Sequence, residues 1–243
     1  MSSVHVGDIA DRSVASELAE RLSFRARSWD DILSSLRGRD SEAADRVATS
    51  WAKRAFDIIG SSLALVGLAP LMLVAAAAIW LETGRPIFFR QQRTGRLGKV
   101  FHVLKFRTMT VREESGAVQQ ARRGDARITR VGAVLRKLSV DELPQLINVL
   151  KGEMSLVGPR PHAVAHDREF MRLVPNYAER FRARPGITGL AQISGLRGEI
   201  AGESAIILRT VADIRYIETW SLAADIRILA RTAVLIFNDP DAF

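Results

Sequence analysis

Two adjacent carboxylates stand where the sequence is richest in residues that could do chemistry. Asp141 and Glu142 lie in the segment Leu138-Ser-Val-Asp-Glu-Leu-Pro144. Because Pro144 lacks an amide hydrogen, it fits the first turn of a helix and places Asp141 near the start of that helix. The helix dipole there keeps a carboxylate ionised. A structural interpretation is also open, since Ser139 and Glu142 have capping-box spacing and either acid could simply begin the helix.

Several cations lie near this pair in the sequence. Val157-Gly-Pro-Arg160-Pro161 holds Arg160 between two prolines, which stiffen the loop and fix how the side chain is presented. Lys105 and Arg107 have the spacing that points two side chains to one face of a strand, and Arg136 lies just before the acids. Adjacent acids with converging cations favour phosphoryl transfer, in which a carboxylate attacks phosphorus while arginine and Mg²⁺ neutralise the developing charge.

The composition excludes several function classes. The 243 residues include no cysteine, which excludes a disulfide framework, a cysteine-ligated zinc site and a thiol nucleophile. The formal charge of +8 comes from 35 basic and 27 acidic residues, and 30 of the basic residues are arginine. Because arginine binds phosphate through paired hydrogen bonds, this excess indicates a phosphate-rich partner. The sequence has no P-loop and no kinase-type glycine loop, so an NTPase is disfavoured.

The sequence contains one long uncharged apolar segment, Ile58–Leu81, which could hold the acids and cations at a membrane. Its 24 residues exceed the number of about 20 that spans a bilayer. Five arginine or lysine residues flank each end, so both ends favour the cytoplasmic side. Pro70 removes a helix hydrogen bond near the middle. We therefore expect a helix that breaks at Pro70, enters the membrane and returns on the same face; a straight span and a buried soluble helix are the alternatives.

The rest of the chain is predicted to form small strands and amphipathic helices. Residues 86–89 and 100–104 have strand-like patterns separated by glycines. Residues 131–138 and 143–150 have helical spacing, and residues 221–237 form an amphipathic helix suited to the core or to the membrane interface. The prediction is a helix-rich α/β monotopic membrane protein in three parts: a polar N-terminal extension (1–50), a re-entrant membrane helix (51–84) and a catalytic domain (85–243).

Ordered motifs cover most of residues 51–237. They are Lys53-Arg54-x-x-Asp57, Gln92-Arg93-x-Gly95, Lys105-Phe-Arg107-Thr-Met109, Arg136-Lys-Leu-Ser-Val-Asp141-Glu142-Leu-Pro-Gln145, Gly158-Pro-Arg160-Pro161, Arg184-Pro-Gly-Ile-Thr-Gly-Leu-Ala-Gln192 and Tyr216-Ile-Glu-Thr-Trp-Ser-Leu-x-x-Asp225. Together these motifs resemble the monotopic polyprenyl-phosphate glycosyl-1-phosphate transferases, the bacterial sugar transferases that initiate exopolysaccharides.

The resemblance implies a domain resting on the cytoplasmic face of a bacterial inner membrane. It implies that Asp141 attacks the phosphate nearest the sugar of UDP-glucose or UDP-galactose, releases UMP, and passes the phosphosugar to undecaprenyl phosphate. Glu142 and Mg²⁺ would assist, with both acids as candidate metal ligands. Membrane lipids and a second copy of the chain are further expected partners. The residues expected to contact phosphate are Lys105, Arg107, Arg136, Arg160 and Arg184.

Two other classes of function stay open at this point. A peripheral membrane scaffold would use Ile58–Leu81 as an anchor and the basic surface to bind anionic lipid, but it gives the acids and Arg160 no purpose. A nucleic-acid binder would account for the charge of +8. An aromatic content of 7% and the apolar anchor argue against nucleic acid as a partner. Release of UMP would separate the enzyme from both alternatives.

Overall fold

The computed structural model describes residues 42–110, 125–196 and 202–238. A short helix, α1 (Glu42–Thr49), precedes the 33-residue helix α2 (Trp51–Thr83) and a hairpin of β1 (Phe88–Thr94) and β2 (Val100–Phe106). The later elements are α3 (Arg130–Lys137), α4 (Gln145–Lys151), β3 (Ser155–Val157), α5 (Val164–Leu173), β4 (Gly186–Thr188), α6 (Leu190–Ile193), α7 (Glu203–Glu218) and α8 (Leu222–Asn238). Short 3-10 helices occupy Val140–Glu142 and Tyr177–Arg182.

The strands form two small sheets. In the hairpin, β1 and β2 are antiparallel, and Phe88 lies opposite Phe106. Strands β3 and β4 are parallel, and Ser155 lies opposite Gly186. The described residues are therefore helix-rich with small β elements, as the sequence predicts. Strand β1 is longer than the predicted 86–89 because its polar second half, which lacks a hydrophobic signal, pairs residue by residue with β2.

The largest core cluster joins elements from both ends of the described chain. Its members include Val47, Phe101, Val103, Val149, Met154, Val157, Tyr216, Ile217 and Ile228. Val47 and Ala48 are 4% and 5% exposed, although the predicted polar extension includes them. The extension therefore overlaps the folded unit at α1, and residues 1–41 of it lie outside the described residues.

Helix α2 packs on the rest of the protein at both of its ends. Near its start, the Asp57 carboxylate accepts a hydrogen bond of 3.0 Å from the Leu156 amide. Near its end, Ile79 is buried in a second hydrophobic cluster with side chains of β2 and α3. The Glu82 carboxylate accepts a hydrogen bond of 2.8 Å from the Arg130 amide at the start of α3. The two ends of α2 are therefore bound to the same folded unit.

The opposite face of α2 is apolar and exposed. Large exposed side chains recur along it: Ile58, Ile59, Leu63, Val66, Leu71, Leu73, Val74, Trp80 and Leu81. Within the described residues, α2 is the one helix long and apolar enough to cross a membrane. The helix continues through Pro70, so the predicted break at this residue is not seen. The loss caused by an internal proline, about 3 kcal/mol, is opposed by the packing at both ends of the helix.

Candidate active site

The two acids lie in the single turn of 3-10 helix over Val140–Glu142, between α3 and α4. Ser139 precedes this turn in the left-handed region, with φ of 54° and ψ of 19°, and bends the chain sharply. The side chain of Ser139 makes no capping hydrogen bond, and Pro144 occupies the N-cap position of α4. The capping-box interpretation is therefore wrong. Neither acid caps the start of a helix.

Two cations from distant parts of the chain bind Glu142. The Lys105 ammonium lies 2.6 Å from Oε1. The Arg160 guanidinium places Nη2 at 2.8 Å from the same oxygen and Nη1 at 3.4 Å from Oε2. Burial by itself would raise the pKa of Glu142, but Arg160 and Lys105 hold this pKa well below its usual value. Glu142 therefore stays anionic and orients both cations.

Asp141 has a different electrostatic environment. The residue is 8% exposed, and burial raises the pKa of Asp141 to about 6; the charge of Lys105 opposes this rise and that of Glu142 adds to it. Within the described part of the chain, we find no hydrogen bond or ion pair to the Asp141 carboxylate. A desolvated carboxylate with no fixed partner has its oxygens available to attack an electrophile. The two neighbouring acids are therefore suited to different roles.

The structure brings three of the five predicted cations to these acids. Lys105 and Arg160 contact Glu142 directly. Arg136 lies in the last turn of α3, and its positive charge lowers the pKa of Asp141, as the charges of Lys105 and Arg160 also do. The three side chains come from β2, the loop after β3, and α3. This arrangement surrounds one free carboxylate with positive charge that could neutralise phosphate oxygens.

Arg107 has a structural contact instead. Its Nη2 donates to the carbonyl oxygens of Thr83, at 3.0 Å, and Gly84, at 2.8 Å, where α2 ends. These carbonyls lack hydrogen-bond donors within the helix, and the Arg107 guanidinium supplies those donors. Strand β2 ends at Phe106, so the alternation that predicted Lys105 and Arg107 on one face does not extend to Arg107.

Arg184 is also placed away from the acids. Its Nε donates to the Gly152 carbonyl at 3.1 Å, just after α4, and its Nη1 donates to the Ala48 carbonyl at 3.2 Å in α1. Burial lowers the pKa of Arg184, and the charges of Arg96 and Arg54 lower it further. Arg184 therefore belongs to a group of arginines that joins α1, α2 and α4, and the structure does not bring it to Asp141.

Two arginines that are absent from the predicted site residues support the Arg160 loop from behind. Arg93 in β1 donates to the Pro161 carbonyl at 3.3 Å, and burial with the charge of Arg160 lowers the pKa of Arg93 to about 10. Arg180 donates to the Arg160 carbonyl at 2.8 Å. Arg93 lies in the motif Gln92-Arg93-x-Gly95, so a signal for it was present. No motif marks Arg180.

The acids fit a magnesium ion only in part. Among the described residues, no three aspartate, glutamate or histidine side chains form a metal-binding group. The Glu142 oxygens already accept from Lys105 and Arg160, so Glu142 does not fit as a ligand. Asp141 does fit, because Mg²⁺ is commonly held by one or two carboxylates together with substrate phosphates. The expected pair of ligands is therefore reduced to Asp141.

Comparison with known proteins decides the family. Residues 48–239 match the protein family described as bacterial sugar transferase. The chain belongs to the bacterial sugar transferase family. This finding confirms the resemblance carried by the motifs, and it makes the protein a transferase. The match begins in α1 and includes the acids, the Arg160 loop and α2.

Several relatives of this transferase have names that state an activity or a process. A protein of Caulobacter vibrioides named UDP-glucose:undecaprenyl-phosphate glucose-1-phosphate transferase is 51% identical over 198 residues, which are 82% of this chain and 74% of the relative. The Escherichia coli protein of the same name is 45% identical over 79% of this chain but only 41% of its own length. The exopolysaccharide production protein PSS of Rhizobium leguminosarum is 46% identical, over 75% of this chain and 93% of the relative. The chain thus spans most of some relatives and about two fifths of others.

Proposed function

We propose that this transferase moves glucose-1-phosphate from UDP-glucose to undecaprenyl phosphate, releases UMP, and so performs the first membrane step of exopolysaccharide synthesis. The observation that carries the proposal is the buried Asp141 carboxylate, free of ion pairs among the described residues and surrounded by Lys105, Arg136 and Arg160. The names of the Caulobacter and Escherichia coli relatives support this donor and acceptor.

The reaction divides into two displacements at one phosphorus atom. An oxygen of Asp141 attacks the phosphorus next to the sugar, and the bond from that phosphorus to the bridging oxygen breaks, so that UMP leaves with the bridging oxygen. A phosphate oxygen of undecaprenyl phosphate then attacks the same phosphorus and breaks its bond to Asp141. The carboxylate is restored. Lys105, Arg136 and Arg160 neutralise the phosphate oxygens in both steps.

A magnesium ion would be held by Asp141 and the donor phosphates. When bound, it would neutralise phosphate charge that the three cations leave uncompensated. We therefore expect chelation to abolish UMP release and added Mg²⁺ to restore it, measured on the purified protein with UDP-glucose. Full activity in excess chelator would contradict this assignment.

The contacts of α2 support a monotopic position on the cytoplasmic face of the inner membrane. Asp57 and Glu82 lie about 37 Å apart along a straight helix at 1.5 Å per residue, which exceeds the hydrocarbon thickness of about 30 Å. Yet both residues bind the same folded unit. A straight crossing would have to carry that unit through the bilayer. We therefore propose that α2 lies at the membrane surface with its apolar face in the lipid and with both of its ends on the same side; a second copy of the chain as partner stays a prediction.

The test is the first half-reaction by itself. Purified protein mixed with UDP-glucose and no lipid acceptor should release one UMP per active enzyme in a burst, and the peptide containing Asp141 should gain the mass of a hexose phosphate. UDP-galactose and UDP-N-acetylgalactosamine serve as alternative donors. UMP release that strictly requires undecaprenyl phosphate would contradict the covalent step. A burst from another donor alone would replace glucose as the sugar.

A further inference from the structure

Main-chain hydrogen bonds fix the loop that carries Arg160. The Pro159 carbonyl accepts from the Gly186 amide at 2.9 Å. The Arg160 carbonyl accepts from Arg180 at 2.8 Å, and the Pro161 carbonyl accepts from Arg93 at 3.3 Å. Three successive carbonyls are therefore tied to three different elements: β4, the 3-10 helix Tyr177–Arg182, and β1. The direction of the Arg160 side chain depends on these ties.

Arg180 is buried, and each of its N–H donors makes a hydrogen bond within the protein. Its Nε and Nη2 donate to Asp213 Oδ2 at 2.9 and 2.6 Å. Its Nη1 contacts the Tyr177 hydroxyl at 2.6 Å and His162 Nδ1 at 3.0 Å, and Nη2 also reaches the Arg160 carbonyl. A guanidinium has five N–H donors, and all five are used. Arg180 is 3% exposed, so it has neither the access nor the donors to bind a substrate.

The surroundings keep this guanidinium in one orientation. Asp213 is 1% exposed and supplies the countercharge of Arg180. Burial and the charge of Arg180 hold the pKa of His162 well below its usual value, so His162 is neutral and can accept through Nδ1. The Tyr177 hydroxyl donates to Asp167 at 2.6 Å. Because a buried ion pair is often no more stabilising than an apolar replacement, stability alone is a weak reason for this group.

We propose that Arg180 is a positioning residue for the transfer. By holding the Arg160 carbonyl, Arg180 directs the Arg160 side chain toward Glu142 and the donor diphosphate. This inference rests on the proposed function. In this arrangement Arg180 contacts neither Asp141 nor Glu142, and it would contact no substrate. Its effect passes through one hydrogen bond to a loop whose side chain does touch Glu142.

A double-mutant cycle tests the proposal on the UMP burst. Arg180→Lys keeps the positive charge but loses the planar fork, and we expect the burst rate constant to fall about 10- to 100-fold through misplacement of Arg160. Arg160→Lys should also slow the burst. If Arg180 acts through Arg160, the double variant should be about as slow as Arg160→Lys alone. Losses that multiply would overturn the proposal.

Burst amplitude separates positioning from folding. A merely structural role would lower the amplitude, which counts folded enzyme, and leave the rate constant unchanged; that result overturns the proposal. Arg182→Lys is the matched control, since Arg182 lies on the same 3-10 helix but pairs with Glu179 at 2.8 Å, and its burst rate constant should equal that of the wild type. A wild type without any burst would instead contradict the proposed function.

A milder substitution keeps the test available if Arg180→Lys does not fold. Tyr177→Phe removes one hydrogen-bond partner of Arg180 and little volume. We expect a burst rate constant lowered several-fold in the wild-type background and unchanged in the Arg160→Lys background. A Tyr177→Phe protein with the wild-type rate constant, or one that slows both backgrounds equally, would overturn the proposal.

Discussion

Asp141 and Glu142 are neighbours in the chain and burial acts on both, yet their pKa values move in opposite directions. Glu142 meets Arg160 and Lys105 within 2.8 Å, and these cations outweigh the cost of burial. Asp141 meets no cation at hydrogen-bond distance among the described residues, and burial dominates. One carboxylate is therefore a fixed anchor for cations, and the other is available to attack phosphorus.

The raised pKa of Asp141 predicts how the first half-reaction responds to pH. Only the ionised carboxylate can attack, so the burst rate constant at low UDP-glucose should rise with pH and level off above about 6. Glu142 should add no inflection there, because its pKa is held well below its usual value. Burst kinetics between pH 5 and 8 provide the measurement. A flat profile across this range would contradict the assignment of Asp141.

The same shift predicts that Asp141→Asn stabilises the protein. An acid whose folded pKa is raised from 3.8 to about 6 contributes stability that is fully present below 3.8 and is lost as pH rises through 6. At pH 8, replacing it should therefore increase the free energy of unfolding by about 1–3 kcal/mol, and the gain should disappear near pH 4. The burst should vanish at every pH. Thermal unfolding at both pH values, together with UMP release, tests this.

Glu142→Gln is the matched comparison, since it changes the adjacent acid in the same way. It leaves Lys105 and Arg160 without their countercharge, so we expect a lower unfolding temperature at pH 8 and slower turnover. If both variants lost stability at pH 8, the opposite electrostatic roles of the two acids would be refuted.

At the scale of elements, α3 reaches the site because a glycine lets it touch the chain just after β2. A Cβ atom at Gly132 would lie 2.1 Å from the Thr108 carbonyl oxygen. The same carbonyl accepts from the Thr129 amide at 3.1 Å. This close approach sets the position of α3, whose last turn carries Arg136, and the charge of Arg136 acts on Asp141. The amphipathic helix α3 is thus positioned by backbone contact as well as by the burial of Leu135.

Gly132→Ala should separate α3 from β2. The added methyl group meets main-chain atoms that cannot rotate away, so the protein should lose at least about 1–3 kcal/mol of stability. The burst rate constant should also fall, because Arg136 moves with α3. Thermal unfolding and UMP release are the measurements. Gly67→Ala in α2 is the control: no atom lies within 4 Å of its Cβ, and a helical alanine should preserve or raise stability. Equal behaviour of the two variants would contradict this account.

At the scale of the whole molecule, buried charges join the start of α2 to the opposite end of the chain. The Lys53 ammonium lies 2.9 Å from Asp225 in α8 and 3.3 Å from Asp57 in α2. It also donates to the Val157 carbonyl at 3.1 Å, where the loop toward Arg160 begins. These residues are 2% exposed or less. The apolar helix is therefore an integral part of the catalytic fold and not a detachable anchor.

This attachment predicts the topology. An epitope tag placed before α1 and another placed after residue 243 should both be accessible only from the cytoplasm, since both ends of α2 bind one folded unit. Protease or maleimide accessibility in intact and permeabilised cells provides the measurement. Tags found on opposite sides would establish a straight span and remove the monotopic interpretation.

The sequence by itself determined the pieces of this protein whose signals are local. The apolar run of α2, the two strand patterns separated by glycines, the helical spacing of α4 and the proline frame of Arg160 all depend on residues close together in the chain. The adjacent acids and the surrounding motifs were enough to indicate phosphoryl transfer and the family. Such features are readable because backbone preference and hydrophobic spacing act over a few residues.

Only the tertiary structure decided which cation meets which acceptor. Lys105 and Arg160 reach Glu142 across 37 and 18 residues of chain, while Arg107 and Arg184 satisfy helix-end carbonyls that a sequence does not display. Arg180, which no motif marks, became the support of Arg160. The reason is physical: a long flexible cation binds the acceptor that folding leaves buried and unpaired nearest to it, and that acceptor is set by packing across the whole chain.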